Sequence, residues 1–252
     1  MSKKKQALLT ILETKAIYPV FQPIVDLQNG NVVAYESLSR IESKNIELNI
    51  EQLFNLAEQY DCVWKLEKLC RDKALKASMN KPSGTKIFLN VDGQIFQDSN
   101  FISGFTNRKL EKFGLLNEDI VFEITERTDI ENYVLLQAIM NHYIDQGYQI
   151  ALDDVGAGYS GLNRVVNTTP NYLKADIELV RNIHLSKSKQ SMMKLLVEYC
   201  DEMGLKLIAE GIETQKELEC VCNLHVHYGQ GYYLGLPDCK FNGVSSQALQ
   251  YL

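Results

Sequence analysis

The sequence predicts an α/β fold of one domain, with about eight strands closed into a barrel. Three observations carry this. Short apolar runs rich in Val, Ile, Phe and Tyr alternate with longer amphipathic stretches along the 252 residues. The runs are continuously apolar, as in parallel strands covered on both faces. Polar and mostly charged side chains recur at or near the C-terminal ends of those runs. A doubly wound open sheet is the runner-up, and no glycine-rich phosphate loop at its first turn recommends it.

The elements follow in order. Apolar runs at 21–27 and 32–38 are joined by Gln28-Asn29-Gly30-Asn31, a hairpin signal, so the first strand pair is expected to be antiparallel. Apolar residues at three- and four-residue spacing predict helices over 50–60 and 62–79, leading to a strand over 86–91. A strand over 120–125 and a helix over 131–145 come next. Gly147 lies just past that helix, where a left-handed residue is wanted. Strands over 149–155 and 172–176 precede a helix over 187–203, which Gly204 ends in the same way. A strand over 206–212, a helix over 214–224 and a weak strand over 225–228 complete the pattern.

Composition narrows the function. With 45% apolar and 23% charged residues the chain is neither disordered nor short of core. No apolar run approaches the ~18 residues of a membrane span. The opening MSKKKQALLTILETKAIYPV is interrupted at Glu13 and lacks a small-residue cleavage site, so no secretory signal is expected. Six cysteines without a disulfide framework fit a reducing cytoplasm. Cys220, Cys222, His225 and His227 match no familiar zinc spacing and read as buried thiols and ordinary surface histidines. The net charge of -6 speaks against a DNA or RNA polymer as ligand, because phosphate contacts need Lys and Arg. A phosphate ligand would have to be neutralised by something other than basic side chains.

The strand-end residues suggest what that is. Glu36, Asn90, Glu123, Glu126, Asp153, Asp154, Lys174 and Glu210 fall at or near strand ends, and Gln230 follows the last strand. A charge inside a buried strand is costly unless paired or bound to metal. In a parallel barrel these ends share one face, where barrel enzymes keep their sites. Glu36, Glu123, Asp153, Asp154 and Glu210, with the Asn90 amide, are hard oxygen donors suited to Mg²⁺ or Mn²⁺. Two adjacent aspartates can place one carboxylate between two ions, and ions ~3.5–4 Å apart are a device for phosphodiester cleavage. Lys174 can hold a phosphate oxygen, orient a water, or pair with an acid such as Asp176.

At this point the chain resembles the EAL-domain cyclic di-GMP phosphodiesterases of bacteria. The motifs are FQPI from Phe21, YESLSR from Tyr35, FLNV, FEITE, ALDDVGAGYSGL, YLKAD, IAEGIE and QGYYLGLP, in the family's order. The resemblance implies a modified TIM-like barrel that cuts cyclic di-GMP to linear pGpG with two Mg²⁺ or Mn²⁺ ions, Ca²⁺ being inhibitory. It implies Glu36, Asn90, Glu123, Asp153, Asp154 and Glu210 as metal ligands, with Glu210 and Lys174 the catalytic pair. Gln22, Arg40 and Gln230 look like groups that orient substrate or site, and Glu126, Asp176 and Glu213 like supporting residues. The alternative on the same barrel is a catalytically silent cyclic di-GMP receptor or a protein-interaction module.

Where many active members have Phe and Thr after the paired aspartates, this chain has Val155 and Ala157. Ser37 stands for the usual Ala, and Leu236 where a Lys is frequent. No predicted ligand is lost. The reading is of one EAL domain over residues 1–252, with its motifs within about 18–237 and no separate regulatory domain. A cytoplasmic homodimer is expected, formed through residues 158–171 and the helix that follows.

Overall fold

A computed structural model of the chain describes residues 3–42, 47–124, 133–155 and 161–252. Eight strands close into a barrel in chain order. β1 (Ile17–Asp26) runs antiparallel to both its neighbours, β2 (Val32–Ile41) and β8 (Tyr228–Gly229). From β2 onward, β3 (Lys86–Val91), β4 (Ile120–Ile124), β5 (Gln149–Val155), β6 (Tyr172–Ala175), β7 (Lys206–Ala209) and β8 are parallel. The predicted barrel and its antiparallel first pair are both present, and the pairing of β8 with β1 rules out the open sheet. The hairpin turn closes through Asp26 and Asn31, with Gly30 at a φ of 71°.

The predicted helices appear as α2 (Ile50–Gln59), α3 (Val63–Ala77), α5 (Tyr133–Ile144), α8 (Lys187–Met203) and α9 (Gln215–Asn223). Gly147 and Gly204 take φ values of 84° and 70°, the left-handed conformation expected of them. Four further helices were not anticipated: α1 (Lys3–Thr14), α4 (Phe105–Phe113), α6 (Gly161–Val166) and α7 (Ile177–Val180). α6 and α7 are too short to show a period. α1 does carry one, since Leu8, Ile11 and Leu12 are its buried residues, but three lysines open it. β1 starts before the predicted run, and β7 stops at Ala209 because Gly211 turns the chain at a φ of 68°. No helix among the described residues is long and apolar enough to cross a membrane.

Strand residues alternate between two separate cores, which explains the continuous apolar runs. Ile87, Leu89, Phe122, Ile124, Ile150, Leu152, Leu173 and Leu207 belong to the large outer core shared with the helices. Ile24, Ala34, Phe88, Val121, Ala151, Tyr172 and Ile208 form a second core inside the barrel, with Tyr228 packed against it. That is one residue from each strand, a single apolar layer that plugs the barrel. The inward-facing position one layer above this plug is where the polar residues fall.

Candidate active site

Side chains two residues apart on a strand share a face. Counting two positions from each member of the plug, toward the C-terminal ends of β2–β8, gives Glu36, Asn90, Glu123, Asp153, Lys174, Glu210 and Gln230. β1 runs the other way, so its member of the same layer precedes Ile24 and is Gln22, opposite Glu36 in the ladder. One layer of the barrel therefore holds eight of the predicted site residues.

Lys174 stands at its centre and is 1% exposed. Its Nζ lies 2.6 Å from Glu123 Oε1 and 2.5 Å from Glu210 Oε1, with Asp153 Oδ1 at 3.5 Å and Glu36 Oε2 at 3.6 Å. Lys174 does pair with acids, and its partners are these four carboxylates rather than Asp176. Asp176 instead caps α7, accepting from the Glu178 N–H at 2.7 Å. Glu36 is held on both sides: Asn90 Nδ2 donates to it at 3.0 Å and Gln230 Nε2 at 2.6 Å. Gln230 also donates to Gln22, whose Nε2 is tied to the Gly235 carbonyl at 3.1 Å.

Asp154 joins the layer through a bulge. β5 pairs with β6 at Leu152–Leu173 and again at Val155–Ala175, so Asp153 and Asp154 together face the single residue Lys174. Asp154 adopts a φ of 56°, in the left-handed region. The extra residue breaks the alternation that would send neighbouring side chains to opposite faces. Carboxylate oxygens of Asp153, Asp154 and Glu210 consequently lie within 4.8 Å of one another, as do those of Glu36, Glu123 and Glu210. The shared residue of these two groups is Glu210, not one of the paired aspartates as the sequence suggested.

The electrostatics show a site short of positive charge. Burial, with Glu36 beside it, drives the Glu123 carboxyl well above the usual range. Burial pushes Glu210 up to about 8, with Asp153 and Glu36 adding to the effect against the pull of Lys174. Burial disfavours the Lys174 ammonium, but Asp153, Glu123, Glu210 and Glu36 outweigh it and hold its pKa well above that of a free lysine. Glu123 Oε2, Asp153 Oδ1 and Gln230 Oε1 are buried acceptors without a hydrogen-bond partner. Native proteins rarely leave buried oxygens so. Hard donors, orphaned acceptors and two carboxylate groups fit divalent cations.

Two cavities flank Glu36 and Leu38. One, of about 230 Å³, runs past Arg40 and Asn90. The other, of about 270 Å³, is lined by Gln22, Glu210, Glu213, Gln230 and Tyr232. Arg40 thus lies outside the carboxylate layer, its Nη1 bonded to the Ser39 carbonyl at 2.9 Å. Glu126 lies outside the described residues.

Sequence reading missed Glu217, whose carboxylate accepts from the N–H groups of Asn182, Glu213 and Thr214 and so ties down the chain that follows Glu210. The capping-box spacing of Thr214 and Glu217 was its available signal. Gly211, next to Glu210, permits a close pass: a Cβ there would stand 2.2 Å from Ile177 Cγ1. The histidine expectation needs correcting at His227, which is buried. It accepts from the Leu207 N–H, and its Nε2 is 2.9 Å from Asp201 Oδ1, so it joins β7 to α8.

The sequence pattern of the EAL domain matches residues 5–237. Among curated relatives, a probable cyclic di-GMP phosphodiesterase, PdeG of Escherichia coli, is 25% identical over 226 residues, covering 88% of this chain and 44% of that protein. The cyclic di-GMP phosphodiesterase PdeA of Borreliella burgdorferi is 27% identical over 190 residues, 74% of this chain and 28% of that one. The chain thus spans less than half the length of either. A standalone versatile EAL protein from Vibrio cholerae, solved with cyclic di-GMP bound, superposes with a TM-score of 0.78 at 26% identity, covering 92% of this chain and 97% of that one. With the pattern matched over nearly its whole length, the chain belongs to the EAL domain family.

Proposed function

We propose that this chain is a metal-dependent phosphodiesterase that cuts one phosphodiester bond of cyclic di-GMP to give linear pGpG. The observation that carries the reading is the completeness of the polar layer, with Glu36, Asn90, Glu123, Asp153, Lys174 and Glu210 in one ring, Asp154 added by the bulge, and two buried carboxylate oxygens that accept no hydrogen bond. Glu36, Asn90, Glu123, Asp153, Asp154 and Glu210 would hold two Mg²⁺ or Mn²⁺ ions. Bound there, such ions supply the Lewis acidity that makes water a nucleophile near neutral pH and offsets charge on the phosphate.

The chain's own residues supply the rest. Glu210 belongs to both carboxylate groups and is the acceptor for the proton of the attacking water. Lys174 carries three donors, one of which holds that water in line with phosphorus. Gln22 and Gln230 fix the orientation of Glu36. Arg40 offers a planar fork to a phosphate or guanine edge along the first cavity. The presence of a cavity on each side of Glu36 supports a ligand with two bases. Glu213, which lines the second cavity, supports Glu210. Ca²⁺ should inhibit, because its larger and more flexible shell spoils the spacing.

The test is to incubate the purified protein with cyclic di-GMP and Mg²⁺ or Mn²⁺ and separate the products by chromatography. Linear pGpG is expected, and Glu36→Ala and Glu210→Ala should abolish it. Cyclic di-GMP that is bound but returned intact would make the chain a receptor.

A further inference from the structure

We infer that Glu67 and Arg71 of α3 are positioning residues that set the β3 arm of the site, and through it the grip on the cation ligated by Asn90 and Glu36. The inference rests on the proposed cation site. Among the described residues, ladder pairing of β3 with β4 ends at Val91–Ile124, and the next N–H, that of Asp92, turns to a helix side chain. Glu67 Oε2 takes it at 3.0 Å. Asp92 is two residues past Asn90, whose amide bonds Glu36. The carboxylate that fixes this strand end is therefore one short step from the ligand layer.

Glu67 is itself fixed. It is 3% exposed, and its other oxygen is ion-paired with the Arg71 guanidinium one helical turn on. Arg71 Nη1 donates to Thr106 of α4 at 3.2 Å and Nη2 to Tyr143 of α5 at 3.4 Å. The guanidinium lies 4.9 Å from the Phe122 ring centroid of β4, the neighbouring strand. Four elements thus hold one carboxylate in place. A buried ion pair gives little net stability over apolar packing of the same volume, so its presence calls for another role. What it supplies is an acceptor of fixed position at the strand end two residues past Asn90. Glu67, Arg71, Asn90 and Asp92 all line the cavity that runs past Arg40, so the same pair shapes its floor.

Calorimetric titration of Mg²⁺ into wild type, Glu67→Asp and Glu67→Gln, beside their thermal midpoints, tests this without requiring turnover. Glu67→Asp keeps the charge facing Arg71 but withdraws the acceptor by one methylene. Glu67→Gln keeps an acceptor oxygen at full length and loses the charge. Positioning predicts that Glu67→Asp weakens Mg²⁺ binding about tenfold or more, the scale of lost outer-shell support, while Glu67→Gln stays close to wild type. Stability should follow charge, with Glu67→Gln melting lower. If Glu67→Asp does not fold, Arg71→Lys, which cannot span Thr106 and Tyr143 together, carries the same prediction. Mg²⁺ affinity unchanged in folded Glu67→Asp or Arg71→Lys, or affinities that merely follow the melting temperatures, would overturn the inference. Wild type that binds no Mg²⁺ would overturn the site reading itself.

Discussion

Lys174 shows how much one residue settles. It is the cation around which Glu123, Glu210, Asp153 and Glu36 are arranged. Removing one partner from a buried charge network leaves the others uncompensated, at a cost of about 3–5 kcal/mol. Lys174→Met should therefore lower the melting temperature by about 10 °C in EDTA, and Mg²⁺ should restore part of the loss. An unchanged melt would mean that the carboxylates do not depend on it.

The pH dependence follows from the same group. Glu123 and Glu210 have folded pKa values above their unfolded ones, Glu210 at about 8. Their contribution to stability is complete below about 4.5 and is lost as pH rises toward 8. Lys174 is raised as well, so its contribution persists through this window and fades only above its folded value. In EDTA, the carboxylate contribution should make the protein melt higher at pH 5.5 than at pH 8. Mg²⁺ should reduce or reverse that order, because binding requires the ionised carboxylates and releases protons. Thermal melts at the two pH values, with and without Mg²⁺, check both halves. At this scale the sequence was informative: Glu36, Asn90, Glu123, Asp153, Lys174, Glu210 and Gln230 were each legible as polar residues ending apolar runs. Asp176 was not, because its short spacing from Lys174 could not distinguish an ion pair from a helix cap.

At the scale of elements, the decisive feature is the bulge in β5. Asp153 and Asp154 are adjacent in sequence, and a regular strand would point them to opposite faces. The left-handed Asp154, at a φ of 56°, turns both toward Glu210. Glycine accepts that conformation, whereas a β-branched residue resists it. Asp154→Gly should keep the fold and lose cation stoichiometry. Asp154→Val should lose that stoichiometry too and, unlike Asp154→Gly, melt lower by the equivalent of about 1–3 kcal/mol. Equal melting temperatures for the two variants would refute the strained bulge. This geometry was hidden from the sequence because nothing in LDDV marks an extra residue. The helices divided for a similar reason. α8, with 17 residues, was readable by period, while α6 and α7, with 6 and 4, were not.

At the scale of the molecule, the barrel turns eight separate sequence positions into one ring. Apart from Asp154, which the bulge adds, each residue of the ring stands two residues from an apolar plug residue, and the reversed direction of β1 reverses the count for Gln22 alone. The rule was implicit in the sequence, but placing Gln22 required knowing that β1 closes against β8. The net charge of -6 also acquires a location, since five of the carboxylates share this mouth. We propose that a homodimer would form through residues 158–171 and the following helix, covering Val166, which is 72% exposed on α6. Residues 158–160 of that stretch lie outside the described ones. Val166→Glu should then shift sedimentation toward the monomer, and an unchanged profile would move the interface elsewhere.

If this ring is the proposed two-cation site, Glu210 should touch both ions. The most direct measurement is an anomalous difference map from crystals grown with Mn²⁺. Two peaks are predicted in the polar layer, one against Glu36, Glu123 and Glu210 and one against Asp153, Asp154 and Glu210. A ring without Mn²⁺, or a single ion that leaves Glu210 untouched, would contradict the account.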